Sequence, residues 1–180
     1  MENFHDLLIN RRSIRRYTDQ PIEAEQVRLI LEAALMGPTS KNLRPWQFIV
    51  VEDKEMLRKL GECKANYAVS LNTAPLAVVV TADTTLSDVW VEDASIAAIL
   101  MQLQAADLGL GSCWIEVRER FRPDGEPSED YVRGLLGIPE HFAVPCIISF
   151  GHKDEERRPI NTEKLLWEKV HIGRWQQPQE

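Results

Sequence analysis

Arg11, Arg12, Arg15 and Arg16 fall within six positions of a chain whose formal net charge is −7. The run Arg11-Arg12-Ser13-Ile14-Arg15-Arg16 follows a stretch of helical pattern and precedes Tyr17-Thr18, so several side chains can converge with the backbone on one anion. Arginine suits phosphate because its planar fork donates two hydrogen bonds at once. A sheltered charge-assisted bond contributes about 1.5–3 kcal/mol net. A solvated basic turn has the same composition, so this run does not decide the matter alone. A second polar run, Pro38-Thr39-Ser40-Lys41-Asn42-Leu43-Arg44-Pro45-Trp46, is pinned by two prolines. Its hydroxyls and amide can bond the rim of a heterocycle, although ordinary connecting loops share that make-up. A third, Gly109-Leu110-Gly111-Ser112-Cys113-Trp114-Ile115-Glu116, carries two glycines that let a backbone lie against a flat ligand or simply cap a helix and turn. Trp114 takes the place of the third glycine of a dinucleotide fingerprint, and the segment leads into a strand. A Rossmann site is therefore disfavoured, and no P-loop occurs.

Other chemistries find little support. His5, His141, His152 and His171 are scattered without a metal-binding spacing, and Gly-x-Ser-x-Gly is absent. Cys63, Cys113 and Cys146 lie far apart; Cys113 and Cys146 sit in apolar stretches, where cysteine behaves as a small hydrophobe. An odd cysteine count without a secretory leader leads us to expect a reducing compartment, the cytoplasm. No apolar run approaches the ~18 residues of a membrane span, so no membrane partner is expected. The acidic balance opposes approach to a phosphate backbone, so no nucleic-acid partner is expected either.

The elements that must position these residues follow from periodicity. The 180 residues form one domain, 1–180, with composition typical of globular proteins. A short helix containing Leu7 and Leu8 ends near the arginine run. Val27, Ile30, Leu31, Ala34 and Leu35 recur on one helical face, opened by Glu23 and stopped by Gly37-Pro38. Residues 47–51, 76–81 and 144–151 read as buried strands, residues 112–117 as another strand, and residues 54–61 and 129–136 as short helices. The longest helix spans about 91–108. Its stripe of Ala94, Ala97, Ala98, Met101 and Ala105 invites close approach by another helix, either in the core or across a subunit interface. This pattern predicts a mixed α+β domain, a sheet flanked by helices around a long central helix.

In order and spacing, the three polar runs resemble those of the nitroreductase family. The second is similar to that family's P-S/T-S-x-N-x-Q-P-W run, Ala65-Asn66-Tyr67 to a flavin-contacting segment, and Val170-His171 with Trp175 to a closing arm. The resemblance implies a homodimer with an exchanged C-terminal arm and FMN at its interface. It implies NADH or NADPH as donor, and a flat small-molecule acceptor such as a nitroaromatic or quinone, in a ping-pong hydride exchange through flavin N5. It assigns FMN binding to Arg11, Arg12, Ser13, Arg15 and Asn66, the backbone of Ile115 and Glu116, and a clamp from Gly151, Lys153, Arg157 and Arg158. Pro38, Thr39, Ser40 and Asn42 would reach in from the second subunit. No side chain acts as an acid–base pair; Arg15 is the electrostatic stabiliser. Arg44 departs from the family's glutamine, which leaves either a solvent-facing charge or a cation for an acidic substrate or nucleotide phosphate. A flavin carrier or regulatory module without turnover is the alternative reading. A specialised relative would need a lid, for which residues 118–128 offer limited material.

Overall fold

The computed structural model describes residues 3–66 and 68–175. Helix α1 (Phe4–Asn10) is capped by Asn3, whose side chain accepts from the Asp6 amide. Helix α2 (Ala24–Leu35) opens with a reciprocal capping box between Glu23 and Gln26. Strand β1 (Trp46–Val51), helix α3 (Lys54–Gly61) and strand β2 (Leu76–Asp83) follow, then the long helix α4 (Trp90–Asp107). Strand β3 (Gly111–Glu116), helix α5 (Ser128–Leu136) and strand β4 (Phe142–Gly151) complete the regular elements. Two short 3₁₀ turns, Thr162–Lys164 and Trp167–Lys169, punctuate the segment after β4.

The four strands lie in the order β1-β2-β4-β3 with every neighbouring pair antiparallel. Helices cover both faces, which explains the near-continuous apolar runs of the two central strands. Val78, Val80, Ile148 and Phe150 pack toward α2 and α4. Ala77, Val79, Ile115 and Ile147 pack toward α3 and α5. Full burial of such a side chain contributes roughly 1.5–3 kcal/mol. One extra residue in β4 shifts the register between Val80↔Cys146 and Ala82↔Ala143. The α+β class expected from the sequence is the one observed.

Two expectations are corrected. Residues 47–51 are not a buried strand: β1 is an edge strand, with Gln47 and Val50 exposed and only its end residues, Trp46 and Val51, buried. Of the two readings of the α4 alanine stripe, the core one is observed. Ala94, Ala97, Ala98 and Ala105 are wholly buried in the chain's own core beneath α2 and the sheet. Ile96 and Ile99 on the flank are the exposed ones, at 37% and 38%. Leu35, placed on the inner face of α2 by periodicity, is also exposed, at 54%.

Candidate functional site

The arginine run begins where α1 stops. Arg11 is the C-cap, extended at φ −63° and ψ 122°, and the backbone then runs beside the outer edge of β3. The Ile14 amide donates to the Ser112 carbonyl at 2.9 Å. Ile14 is buried tightly over Gly111, where an added Cβ would lie 2.9 Å from Ile14 Cβ. Gly111 is thus required for packing against Ile14. Tyr17 forms the second anchor: its hydroxyl donates to the Ile14 carbonyl at 2.6 Å and lies 2.9 Å from Ser149 Oγ. Burial pushes the Tyr17 phenol pKa well up, so it remains a neutral donor. With Ile14 and Tyr17 turned inward, the arginines face outward.

The segment after β4 returns to the same place. Thr18 donates to the His152 carbonyl at 2.9 Å, Asp154 to Arg16 at 3.0 Å and Ile160 to Ile9 at 3.0 Å. This pairing brings both basic clusters around two concavities that share Arg11, Arg12 and Arg157. A cavity of about 530 Å³ is lined by Arg11, Arg12, Ser112, Lys153, Glu155 and Arg157 among others. A second, of about 370 Å³, is lined by Arg11, Arg12, Ser13, Arg15, Arg157 and Ile160. Arg158 is exposed and lines neither of these. Gly151 acts in packing: a Cβ there would sit 2.7 Å from Tyr17 Cγ. Glu155, which the sequence reading passed over, lies among the arginines. Burial pushes its pKa up, but the Arg15 amide and the Arg157 guanidinium outweigh that and hold it below its ordinary value.

Strand β3 supplies an open backbone edge beside these cavities. Because Ser112 directs its carbonyl outward to Ile14, alternation directs the amides of Trp114 and Glu116 outward too, and that of Ile115 inward to β4. Ile115 is therefore a core residue whose side chain packs toward α3 and α5. Glu116 is the one of the pair that presents backbone to the edge, and its carboxylate accepts from the Trp114 indole at 2.8 Å.

The remaining sequence candidates lie elsewhere in the same chain. Asn66 is exposed, in a turn held by Ala65 donating to the Phe121 carbonyl at 2.9 Å. Its neighbour Tyr67 falls outside the described residues. Thr39, Ser40 and Asn42 line neither arginine cavity, and Pro38 lines a separate apolar groove with Phe4, Met36, Leu100 and Leu103. That loop is strained: Lys41, Asn42 and Arg44 have φ of 51°, 58° and 52°. Asp93, another residue the sequence reading missed, accepts from the Ser40 amide at 2.8 Å and from Ser87 Oγ at 3.0 Å. Arg44 Nε donates to Asn42 Oδ1 at 3.0 Å.

The three cysteines are buried and unpaired, and burial pushes their thiols up, Cys63 to about 11. No group of His, Cys, Asp and Glu suited to a metal occurs among the described residues. No described helix is long and apolar enough to cross a membrane. As a donor set, five cationic side chains beside outward backbone amides suit a phosphorylated, flat, hydrogen-bonding group.

Comparison with known proteins agrees. The profile of the nitroreductase family matches residues 8–68 and 62–152. An FMN-dependent nitroreductase from Clostridium difficile R20291 superimposes with a TM-score of 0.92 at 49% identity, covering 94% of this chain and 98% of that one. A protein of Archaeoglobus fulgidus, provisionally named NADH dehydrogenase/NAD(P)H nitroreductase, is 38% identical over 180 residues, 97% of this chain and 100% of its own. The NADPH-flavin oxidoreductase of Vibrio harveyi is 30% identical over 169 residues, covering 86% of this chain and 68% of that one. The architecture, the order of the motifs and these matches agree: the chain belongs to the nitroreductase family.

Proposed function

We propose that the protein is an FMN-dependent oxidoreductase that takes electrons from NADH or NADPH and passes them to flat, electron-poor acceptors such as nitroaromatics and quinones. The observation that carries this is the convergence of Arg11, Arg12, Ser13 and Arg15 with Lys153 and Arg157 beside the open edge of β3. Arg11, Lys153 and Arg157 would hold the phosphate, and the outward Glu116 amide would meet the ring edge. Bound FMN supplies the hydride chemistry, and the chain supplies position and field. Arg15 contributes a fixed positive charge where negative charge grows on reduction. No side-chain acid–base pair is required, and a single stacking face shared in turn by donor and acceptor makes the kinetics ping-pong.

A homodimer completes the reading. Phe4 and Met36, exposed at 64% and 74%, rim an apolar groove of about 670 Å³ that continues to Leu100 and Leu103. In the segment after β4, Leu166, Trp167, Val170, Ile172 and Trp175 are 56–84% exposed. Apolar surface on this scale marks an interaction face. The strained Pro38–Asn42 loop, which lines neither arginine cavity of its own chain, would complete the site of a second copy. We place the dimer in the cytoplasm.

The test is anaerobic titration of the yellow protein with NADH and with NADPH, then addition of a nitroaromatic or quinone. Bleaching followed by recolouring is expected. A flavin that stays oxidised under excess of both nucleotides would leave a carrier without turnover, and a colourless protein that takes up no FMN would remove the proposal.

A further inference from the structure

Glu155 stands where an anion site should least tolerate it. The cavity walls carry Arg11, Arg12, Lys153 and Arg157, yet this carboxylate lies among them with its side chain only 9% exposed. An acid there weakens attraction for phosphate unless it does something else. Both of its oxygens are engaged. Oε1 accepts from the Arg15 backbone amide at 2.6 Å, across 140 positions of sequence, and Oε2 accepts from Arg157 Nη2 at 2.7 Å. One carboxylate thus joins the two segments that supply the cations. Among the described residues Arg157 makes no other hydrogen bond, so the rest of its fork is available to the cavity. Arg158, next in the chain and without such a hold, lines neither arginine cavity.

We propose that Glu155 is the positioning residue for the phosphate end of the site, tying Arg157 to the Arg15 backbone so that its guanidinium is aimed before ligand arrives. This rests on the flavin reading above. The effect belongs to phosphate alone: fixing the fork in advance removes an ordering cost that only a phosphorylated ligand would meet.

The experiment compares the Kd of FMN with that of riboflavin, which keeps the ring and ribityl chain but lacks phosphate, on apoprotein of wild type and E155Q. Glutamine still offers an oxygen to the Arg15 amide but removes the ionic hold on Arg157. E155Q is expected to weaken FMN about tenfold, the scale of one charge-assisted contact, and to leave riboflavin unchanged. On an Arg157→Ala background the same change should have no further effect. A general structural role would weaken both flavins alike, and a competing counter-ion would make E155Q bind FMN more tightly; either result overturns the inference. If E155Q does not fold, E155D keeps the charge but is too short to span both partners, and it should show the same selective loss; a wild-type FMN-to-riboflavin ratio in E155D overturns the inference as well. A wild type that binds neither flavin removes the reading of the site together with this inference. A wild type that prefers FMN with a ratio E155Q does not move removes this inference alone.

Discussion

Segment 11–17 and loop 38–45 are both polar runs beside a helix end, and they are built in opposite ways. The first is extended and relaxed, held by apolar and neutral anchors, Ile14 over Gly111 and Tyr17 over Gly151. Its cations face a cavity of the same chain. The second is wound through three positive φ values and held by a buried carboxylate, Asp93, and its polar side chains line neither arginine cavity. Backbone in sparsely populated conformations persists only where the surroundings impose it, and it collects at functional sites. On the proposed dimer, the segment that completes a site at home rests on packing, whereas the one that would serve a second copy is held in form by its own chain.

Four substitutions would break or sharpen this contrast. Arg15→Ala should weaken FMN retention by roughly 1.5–3 kcal/mol, the worth of a charge-assisted contact, and slow flavin reduction; equilibrium dialysis and anaerobic stopped flow would measure both, and wild-type values in both would dismiss the assignment. Gly151→Ala drives a Cβ into the Tyr17 ring and should cost about 1–3 kcal/mol of folding stability in urea unfolding of the apoprotein. An unchanged midpoint would mean that the first segment does not depend on this anchor. Asp93→Ala removes the acceptor of the Ser40 amide, and leaving buried donors unpaired costs about 1–3 kcal/mol; limited proteolysis should then cut within residues 38–45 while segment 11–17 stays protected. Equal protection of both segments would erase the distinction between them. Arg44→Gln should change stability by no more than about 0.5 kcal/mol, as surface changes do, and, if the cation faces a nucleotide phosphate, raise KM for NADPH severalfold and leave that for NADH alone. Identical effects on the two nucleotides would reduce Arg44 to a surface charge.

Much of this arrangement is legible in the sequence because it is local. The helix start at Glu23, the stop at Gly37, the two central strands and the long α4 helix all announce themselves by period and by cap. What stayed hidden is which neighbour each face meets. Gln47 to Val51 has a strand's composition, but its edge position follows from strand order, a long-range property. The α4 alanines were correctly read as permitting close approach, and only the fold shows that α2 and the sheet take that space. Glu155 was overlooked for a similar reason: an acid between Lys153 and Arg157 resembles an ordinary solvated alternation of charge. Its partner, the Arg15 amide, lies 140 positions away. Asp93 carried a weak signal, an acid next to the alanine stripe of an otherwise apolar helix.

The pairing of Ser13 with Ser112, Tyr17 with Lys153 and Ile9 with Ile160 also bears on synthesis. The arginine run leaves the ribosome long before the strand and the return segment it lies against. During that interval its cations lack the surroundings that the return segment and β3 supply. On the proposed flavin site, loading would therefore come late, after the return segment has docked, and any nascent chain stalled before Arg157 would be released empty.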